Sequence, residues 1–202
     1  MAHFVLHEAE EKDAESILAV YAPYVRETTI TFEYEVPSCE EFRERMRNIM
    51  EVYPYLVCEA EGRPAGYAYA HRYHERAAYQ WDAELSVYVD GAYTGRGIGR
   101  ALYTALMNIL KLQHVRNVYG LVTSPNPPSE VLHRAMGFRL SGVSEKTGYK
   151  LGKWVDVACF EKAIGSRAGE PEPLLTFAQV NREKEEAVER ILREAEEMIG
   201  GR

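Results

Sequence analysis

In the stretch AELSVYVDGAYTGRGIGRAL, residues 83–102, three glycines alternate with Arg96 and Ile98. They lie between a run typical of a buried strand and a run typical of a helix. A turn of this kind presents backbone N–H groups at a helix N-terminus, where the aligned peptide dipoles also favour negative charge. Gly95, Gly97 and Gly99 therefore predict a phosphate-binding turn between a strand and a helix.

The spacing of the glycines excludes two common phosphate-binding patterns. A Rossmann turn needs G-x-G-x-x-G, but a count that starts at Gly95 reaches Arg100 where the third glycine should stand, and a count from Gly97 fails as well. A P-loop ends in G-K-[ST], which is absent from this stretch. The remaining pattern is x-G-x-G-x-G/A between a strand and a long helix.

Composition limits the class of protein. The chain has 202 residues, of which 46% are hydrophobic and 27% charged, so we expect one main domain with a well-filled core. Its net charge of −7 argues against a nucleic-acid-binding surface, whereas a local nest of N–H groups can hold a small anion in an acidic protein. No apolar stretch has the length of a signal peptide or a membrane span, so we expect a cytoplasmic protein without membrane contact.

Three cysteines, Cys39, Cys58 and Cys159, are odd in number and far apart. This fits neither a disulfide framework nor a C-x-x-C metal site, so we expect them to be reduced and structural. The 14 tyrosines are interpreted as core and pocket lining, because no basic patch accompanies them.

Helices are indicated by caps and by apolar spacing. Asp13 can cap a first helix, which Pro23 should kink or end. Ser38 and Glu41 form a capping box at the start of a second helix. Further helices are predicted at about 97–112 and in 129–136, the latter ended by Gly137.

Strands are indicated by β-prone runs and turn residues. A first strand is expected in 3–9, and two runs around the turn 61–64 predict a β-hairpin. The near-continuous apolar end of 81–89 predicts a strand buried on both faces. With further strands near 115–123, in 138–143 and in 153–162, the chain is predicted to be α+β, with a largely antiparallel sheet and helices packed on it.

The C-terminal part differs in composition from the rest. We expect a domain over residues 1–164, a linker over 165–179, and an amphipathic helix over 180–200 with a narrow apolar stripe. Such a helix can lie on its own domain or fray, or it can contact another subunit. The pattern leaves these alternatives open.

Seven motifs in order resemble one family, the GCN5-related N-acetyltransferases, and within it the phosphinothricin and methionine sulfone acetyltransferase group. They run over roughly residues 3–163. The motifs are ITFEYEVPS (30–38), GYAYA (66–70), WDAELSVYV (81–89), GRGIGRAL (95–102), Asn126 with Ser129, LHRAMGF (132–138) and GKWVDV (152–157).

The resemblance implies a cofactor site for acetyl-CoA. In this fold a splayed strand pairs with the pantetheine arm almost as another strand would, and the glycine turn holds the pyrophosphate. The implied cofactor contacts are Val87, Tyr88 and Val89 on the strand, Gly95, Arg96, Gly97, Ile98, Gly99 and Arg100 in the turn, and Asn126 in the second motif.

Acetyl transfer to an amine requires a base, an oxyanion donor and a proton for the leaving thiolate. Glu84 matches the family carboxylate and, if buried, would accept the ammonium proton; the alternative is a surface or ion-paired glutamate. The backbone N–H of Val87 is the expected oxyanion donor. His133 can donate a proton near neutral pH, or it can simply pack on the cofactor as a helix residue.

The family group acetylates a small amino acid or analogue that carries a carboxylate. A guanidinium suits that group, and Arg76 is the expected partner. By resemblance the substrate is bordered by His74, Glu75, Arg76 and Tyr79 and by Glu84, Leu85 and Ser86. His71 and His74 alone make a poor metal site, so we expect no metal.

Other functions remain as alternatives. The same fold and cofactor can serve a protein N-terminus or a polyamine as the acceptor. A non-catalytic acyl-CoA sensor would use the turn only for binding. The resemblance implies a homodimer, with a small-molecule amine as substrate and no nucleic acid or membrane as partner.

Overall fold

The computed structural model describes residues 3–200 as a seven-stranded sheet with five α-helices. The strands are β1 (Phe4–Glu8), β2 (Tyr55–Ala60), β3 (Arg63–Arg72), β4 (Asp82–Val89), β5 (Asn117–Ser124), β6 (Arg139–Lys150) and β7 (Lys153–Ala163). The helices are α1 (Ala14–Glu27), α2 (Cys39–Met50), α3 (Ile98–Leu112), α4 (Pro127–Ala135) and α5 (Phe177–Glu196). The predicted α+β fold is confirmed.

The sheet has the order β1-β2-β3-β4-β5-β7-β6. Every neighbouring pair is antiparallel except β4 and β5, which are parallel. The predicted hairpin is present as β2 and β3, joined by Glu61 and Gly62, which both have positive φ as a tight two-residue turn requires.

The parallel pairing of β4 with β5 is very short. Only Asp82–Glu84 pairs with Asn117–Tyr119, whereas β5 continues to Ser124 and stays paired with β7 throughout. The two strands therefore diverge beyond Glu84. The prediction of burial on both faces was wrong for Val87–Val89, which are only partly buried because this divergence opens a gap beside them.

Helices cover both faces of the sheet. One core cluster joins α1 and α2 to β2 and β3, and a larger one joins α3 and α5 to the opposite face. Side chains alternate along β4, so Leu85 and Val87 face α3 whereas Tyr88 faces α1. By the same alternation Glu84 and Ser86 share the face of Tyr88.

Two expectations about α1 are corrected. Pro23 does not end the helix, which runs on to Glu27 because Tyr21 and Val25 are buried against the sheet and this packing outweighs the missing hydrogen bond. Asp13 is the N-cap residue, but its carboxylate accepts the N–H of Glu10 at 2.8 Å rather than one from the helix.

The capping box that begins α2 is confirmed. The N–H of Glu41 donates to the Ser38 hydroxyl at 3.2 Å, and the N–H of Ser38 donates back to the Glu41 carboxylate at 2.7 Å. Phe42 and Met46 are buried at the predicted helical spacing.

The C-terminal helix begins earlier than predicted. A second capping box, Thr176 with Gln179, starts α5 at Phe177 rather than at residue 180. Five apolar residues of α5 are buried against α3 and β1 of the same chain: Phe177, Val180, Val188, Ile191 and Ala195. Within residues 3–200, none of the helices combines the length and the apolar character needed to cross a membrane.

Candidate active site

A cleft of about 390 Å³ opens where β4 and β5 diverge. Its walls come from β4, the glycine turn, the first turn of α3, the N-terminal half of α4, and α1 with the loop that follows it. The lining residues are Tyr24, Ile30, Val87, Val89, Tyr93, Thr94, Gly95, Gly97, Ile98, Gly99, Arg100, Asn126, Pro128, Ser129 and Leu132. The structure thus brings most of the predicted cofactor residues together.

The edge of β4 that faces the gap carries backbone groups in a defined pattern. The N–H of Asp90 donates to the Ala65 carbonyl beside β3 at 2.9 Å. Because hydrogen-bonded residues alternate along an antiparallel pair, the even-numbered residues of β4 direct their N–H and C=O groups to β3. The odd-numbered residues direct theirs to the gap. Val87 therefore presents both groups to the cleft. Tyr88 does not, which corrects its assignment as a cofactor contact.

Two tyrosines bond to this edge on either side of Val87. The Tyr103 hydroxyl donates to the carbonyl of Leu85 at 3.2 Å. The Tyr24 hydroxyl donates to the carbonyl of Val89 and lies 3.3 Å from its N–H. Since buried backbone groups need partners, the tyrosines stabilise the strand on both sides and leave Val87 available to a ligand. Sequence reasoning missed both roles, because a tyrosine on an apolar helix face gives only a core signal.

The glycine turn has the conformation that its sequence predicts. Gly95 and Gly97 have φ of 75° and 88°, a region that other residues adopt only at a cost. Because α3 begins at Ile98, its first N–H groups lack partners within the helix and lie at the positive end of its dipole. The exposed guanidinium of Arg100 adds positive charge to this side of the cleft. The turn therefore suits a diphosphate.

The second wall is the start of α4. Asn126 is its N-cap residue, and the Asn126 side-chain oxygen accepts the N–H of Ser129 at 3.4 Å. Both residues border the cleft opposite the glycine turn. In the turn, Arg96 is exposed and lies 5.6 Å from the centre of the Tyr93 ring, where a cation–π contact holds it at the rim.

Glu84 is the acid at the point where the strands separate. Only 18% of its side chain is exposed, and burial raises its pKa above the ordinary 4.5, an effect that the nearby His71 and His74 oppose. The imidazole Nε2 of His71 lies 3.7 Å from a carboxylate oxygen of Glu84. A carboxylate with a raised pKa in this position is suited to accept a proton.

His133 lies in the core and not in the cleft. It is 2% exposed, its Nδ1 bonds to the Ser129 carbonyl at 2.8 Å, and burial lowers its pKa. Its Nε2 has no hydrogen-bond partner among the described residues. This atom lies 2.3 Å from the position that a Cβ on Gly120 would occupy, so the ring uses the space that a side chain there would fill. The expected role as proton donor is therefore not supported. The alternative of packing on the cofactor is not supported either, because the ring packs against Phe160 in the core.

The predicted substrate residues lie on the side of the sheet that carries Glu84. The His74 ring packs between Tyr73 and Tyr79, with ring centres 4.1 and 4.7 Å away. Glu75 and Arg76 are exposed, and Glu75 pairs with Arg72 at 3.7 Å.

The two residues after Glu84, Leu85 and Ser86, lie on opposite faces of the sheet. Ser86 lies directly opposite Tyr69 in the pairing of β4 with β3. Leu85 does not fit its expected substrate role, because its side chain is buried against α3 and its carbonyl is bonded to Tyr103.

The loop after α1 packs on the hairpin of β6 and β7. The Phe32 ring lies over Gly148, whose missing side chain leaves the room for it. The ammonium of Lys150, 1% exposed, donates to the Thr31 carbonyl at 2.7 Å. The loop is thereby fixed across the open end of the sheet. The buried lysine gave no signal in the sequence, since lysines are rarely buried.

The chain is similar in sequence to known acetyltransferases. The acetyltransferase (GNAT) domain family matches residues 6–159. Phosphinothricin N-acetyltransferase of Streptomyces viridochromogenes is 32% identical over 172 residues, which cover 85% of this chain and 93% of the relative. L-methionine sulfoximine/L-methionine sulfone acetyltransferase of Pseudomonas paraeruginosa is 31% identical over 155 residues, 75% of this chain and 90% of the relative.

A solved structure is similar over the same region. The phosphinothricin acetyltransferase (Pat) of Sinorhizobium meliloti, in complex with acetyl-CoA, superposes with a TM-score of 0.81 at 34% sequence identity. The match covers 84% of this chain and 94% of that one. Sequence and fold thus agree on one family.

The environment of Glu84 predicts its titration. We expect its carboxyl carbon, followed by NMR, to titrate with a midpoint above 4.5, because burial favours the protonated form. His71→Gln should move the midpoint higher still, since it removes a positive charge next to the carboxylate. His7→Gln, which alters the pair of His7 with Glu59, is the matched control and should leave the midpoint unchanged. A midpoint at or below 4.5 would contradict this interpretation.

Proposed function

Because this chain belongs to the GNAT family of acetyltransferases, we propose that it transfers the acetyl group of acetyl-CoA to the amine of a small amino acid or analogue, of the phosphinothricin or methionine sulfone type. The chain is an acyltransferase. The observation that carries the proposal is the free backbone edge of Val87, which lies between the diphosphate-binding turn and the buried Glu84.

The residues of the cleft fit acetyl-CoA. The N–H groups of residues 97–100 would hold its diphosphate, with Arg96 and Arg100 adding charge at the rim. The carbonyl of Val87 would accept an N–H of the amide-bearing arm in the manner of an added strand, which leaves the Val87 N–H for the acyl oxygen, and Val89 and Asn126 would border the arm. When bound, acetyl-CoA supplies an acyl group that is already activated as a thioester.

Glu84 and Val87 would act in different parts of the reaction. Deprotonated Glu84 takes a proton from the substrate ammonium, directly or through a water, and so produces the free amine. The N–H of Val87 would stabilise the negative charge that develops on the acyl oxygen. As the C–N bond forms and the C–S bond breaks, the leaving CoA thiolate would take up the proton that the new amide nitrogen releases. The nearby His71 and His74 lower the pKa of Glu84 and so oppose the effect of its burial.

The three cysteines support direct transfer in a ternary complex. Among residues 3–200, none of the cysteines borders the cleft, so no thiol there can carry the acetyl group. Cys58 is fully buried, and burial raises its pKa to about 12, which keeps the thiol unreactive. All three are free, and we include a cytoplasmic location in the proposal because thiols persist there.

Replacing Glu84 tests the reaction. We expect Glu84→Gln to lower kcat by about a hundredfold or more, because a positioned base is worth this much, while CoA affinity measured by calorimetry stays unchanged. The assay is CoA thiol release with acetyl-CoA and a panel of amines.

The outcomes of the panel are distinct. An unchanged kcat would remove Glu84 from the mechanism. Thiol release only with a polyamine or an N-terminal peptide would assign that acceptor class. CoA binding without thiol release for any amine would indicate a sensor.

Arg76 is the residue that we propose for the substrate carboxylate. Arg76 is exposed in the segment between β3 and β4, two residues after His74 and three before Tyr79, and it forms no ion pair among residues 3–200. His74, Glu75 and Ser86 would border the rest of the substrate on the face of the sheet that carries Glu84.

Arg76→Ala should raise the KM for the amine by about tenfold or more, since a hydrogen bond to a charged group contributes about 1.5–3 kcal/mol. The matched control is Arg72→Ala, because Arg72 already pairs with Glu75. Steady-state kinetics with each substrate varied in turn give the two constants. A change confined to the KM for acetyl-CoA would contradict the placement of the two ligands.

A homodimer is the proposed assembly. The edge strand β6 is exposed along residues 139–147, and large apolar side chains of β6 and β7 are exposed with it: Leu140, Val143, Tyr149 and Trp154, with Leu151 between the strands. Apolar area of this kind on one side of a sheet is typical of a protein interface.

Light scattering should therefore give twice the chain mass of 23.0 kDa. Val143→Glu should reduce the mass to that of one chain, because a charge would be buried without a partner. Val131→Glu, at a valine on α4 that is also exposed, should leave the dimer intact. A single-chain mass for the unaltered protein would contradict the proposal.

A further inference from the structure

The end of the chain contacts the glycine turn. After α5, the N–H of Gly200 donates to the carbonyl of Arg96 at 3.0 Å. The carbonyl oxygen of Met198 lies 3.3 Å from the place that a Cβ on Gly97 would occupy. The segment Met198–Gly200 therefore packs directly on the turn that we assign to the diphosphate.

This contact is supported from the body of the protein. The buried residues of α5 pack on α3 and β1, and the Glu196 carboxylate accepts the N–H of Leu6 at 2.7 Å. The N–H groups of Met198 and Ile199 continue the last helical turn with bonds to Ala195 and Glu196. The position of Gly200 is thus fixed by packing that does not depend on the cleft.

The hydrogen bond from Gly200 fixes the orientation of one peptide plane. The Arg96–Gly97 peptide is trans, so its C=O and N–H point in opposite directions. With the carbonyl directed to Gly200, the N–H of Gly97 is directed away from the end of the chain. Gly97 borders the cleft, where an N–H can donate to a phosphate oxygen.

Without that bond, the turn has little to hold this peptide in place. Gly95 and Gly97, on either side of Arg96, both have positive φ, and glycines rotate readily between conformations. A flip of the peptide would present the Arg96 carbonyl oxygen instead of the Gly97 N–H. A donor to the diphosphate would then be replaced by a group that repels it.

We propose that Met198–Gly200 is a positioning element for the diphosphate of the cofactor, acting through the Arg96–Gly97 peptide. The inference rests on the proposed acetyl-CoA site. The GNAT family match ends at residue 159, so α5 and the segment after it lie outside the matched domain. The C-terminal helix thereby acquires a role in cofactor binding beyond its packing.

The test compares two shortened chains that differ by one residue. A chain ended after Gly200 keeps the donor N–H, whereas a chain ended after Ile199 lacks it, and both end in a carboxylate. We expect the chain ended after Ile199 to bind CoA about tenfold more weakly, as loss of one donor to a charged group implies, and the chain ended after Gly200 to bind it as the full chain does.

A ligand without the diphosphate separates positioning from general damage. Pantetheine should bind both shortened chains with equal affinity. The difference in CoA affinity between the two shortened chains, measured by calorimetry, should be the same at about 1 M salt. At that salt concentration the charge of the new carboxylate is screened within about 3 Å.

Three results would overturn the proposal. One is equal CoA affinity for the two shortened chains, and another is an equal loss for CoA and pantetheine with a lowered Tm. The third is a difference that vanishes at high salt. Failure of the acetyl-CoA assignment itself is distinct, because the 202-residue chain would then not bind CoA at all.

Discussion

The early end of the pairing between β4 and β5 is the constraint on which the cleft depends. Had the parallel ladder continued beyond Glu84, β5 would have taken the backbone groups of Val87 and left no edge for a ligand. The exposed edge is limited to one residue because Tyr103 and Tyr24 bond to its neighbours. The protein thus keeps a binding edge while satisfying the backbone groups on either side of it.

The features that the sequence predicted well are those set by local chemistry. The Ser38 and Glu41 capping box and the Glu61–Gly62 hairpin each depend on residues within four positions of one another. The same holds for the glycine turn, where Gly95 and Gly97 adopt the positive φ that their residue type permits. Even the missed start of α5 was a local signal, since Thr176 and Gln179 form a capping box.

The features that the sequence could not give depend on distant contacts. The role of Tyr24 requires a strand 65 residues further along the chain, and the apolar spacing that places a tyrosine on a helix face says nothing about its hydroxyl. His133 occupies the matching motif position, yet the space left by Gly120 takes its ring into the core. Pro23 does not end α1 for the same reason, because packing against the sheet continues the helix to Glu27.

The alternation of side chains along β4 explains how one short strand can serve two ligands. Glu84 lies on the face of α1 and α2 together with His71, whereas the side chain of Val87 faces α3 and the glycine turn. In a continuous sheet these two faces would be separated by the hydrogen-bonded backbone. The gap beside Val87 joins them, so that in the proposed reaction an amine beside Glu84 on one face would reach an acyl group held along the strand edge. Glu84, the last residue of β4 that still pairs with β5, stays mostly buried, and burial raises its pKa, which makes the carboxylate a stronger base than an exposed glutamate.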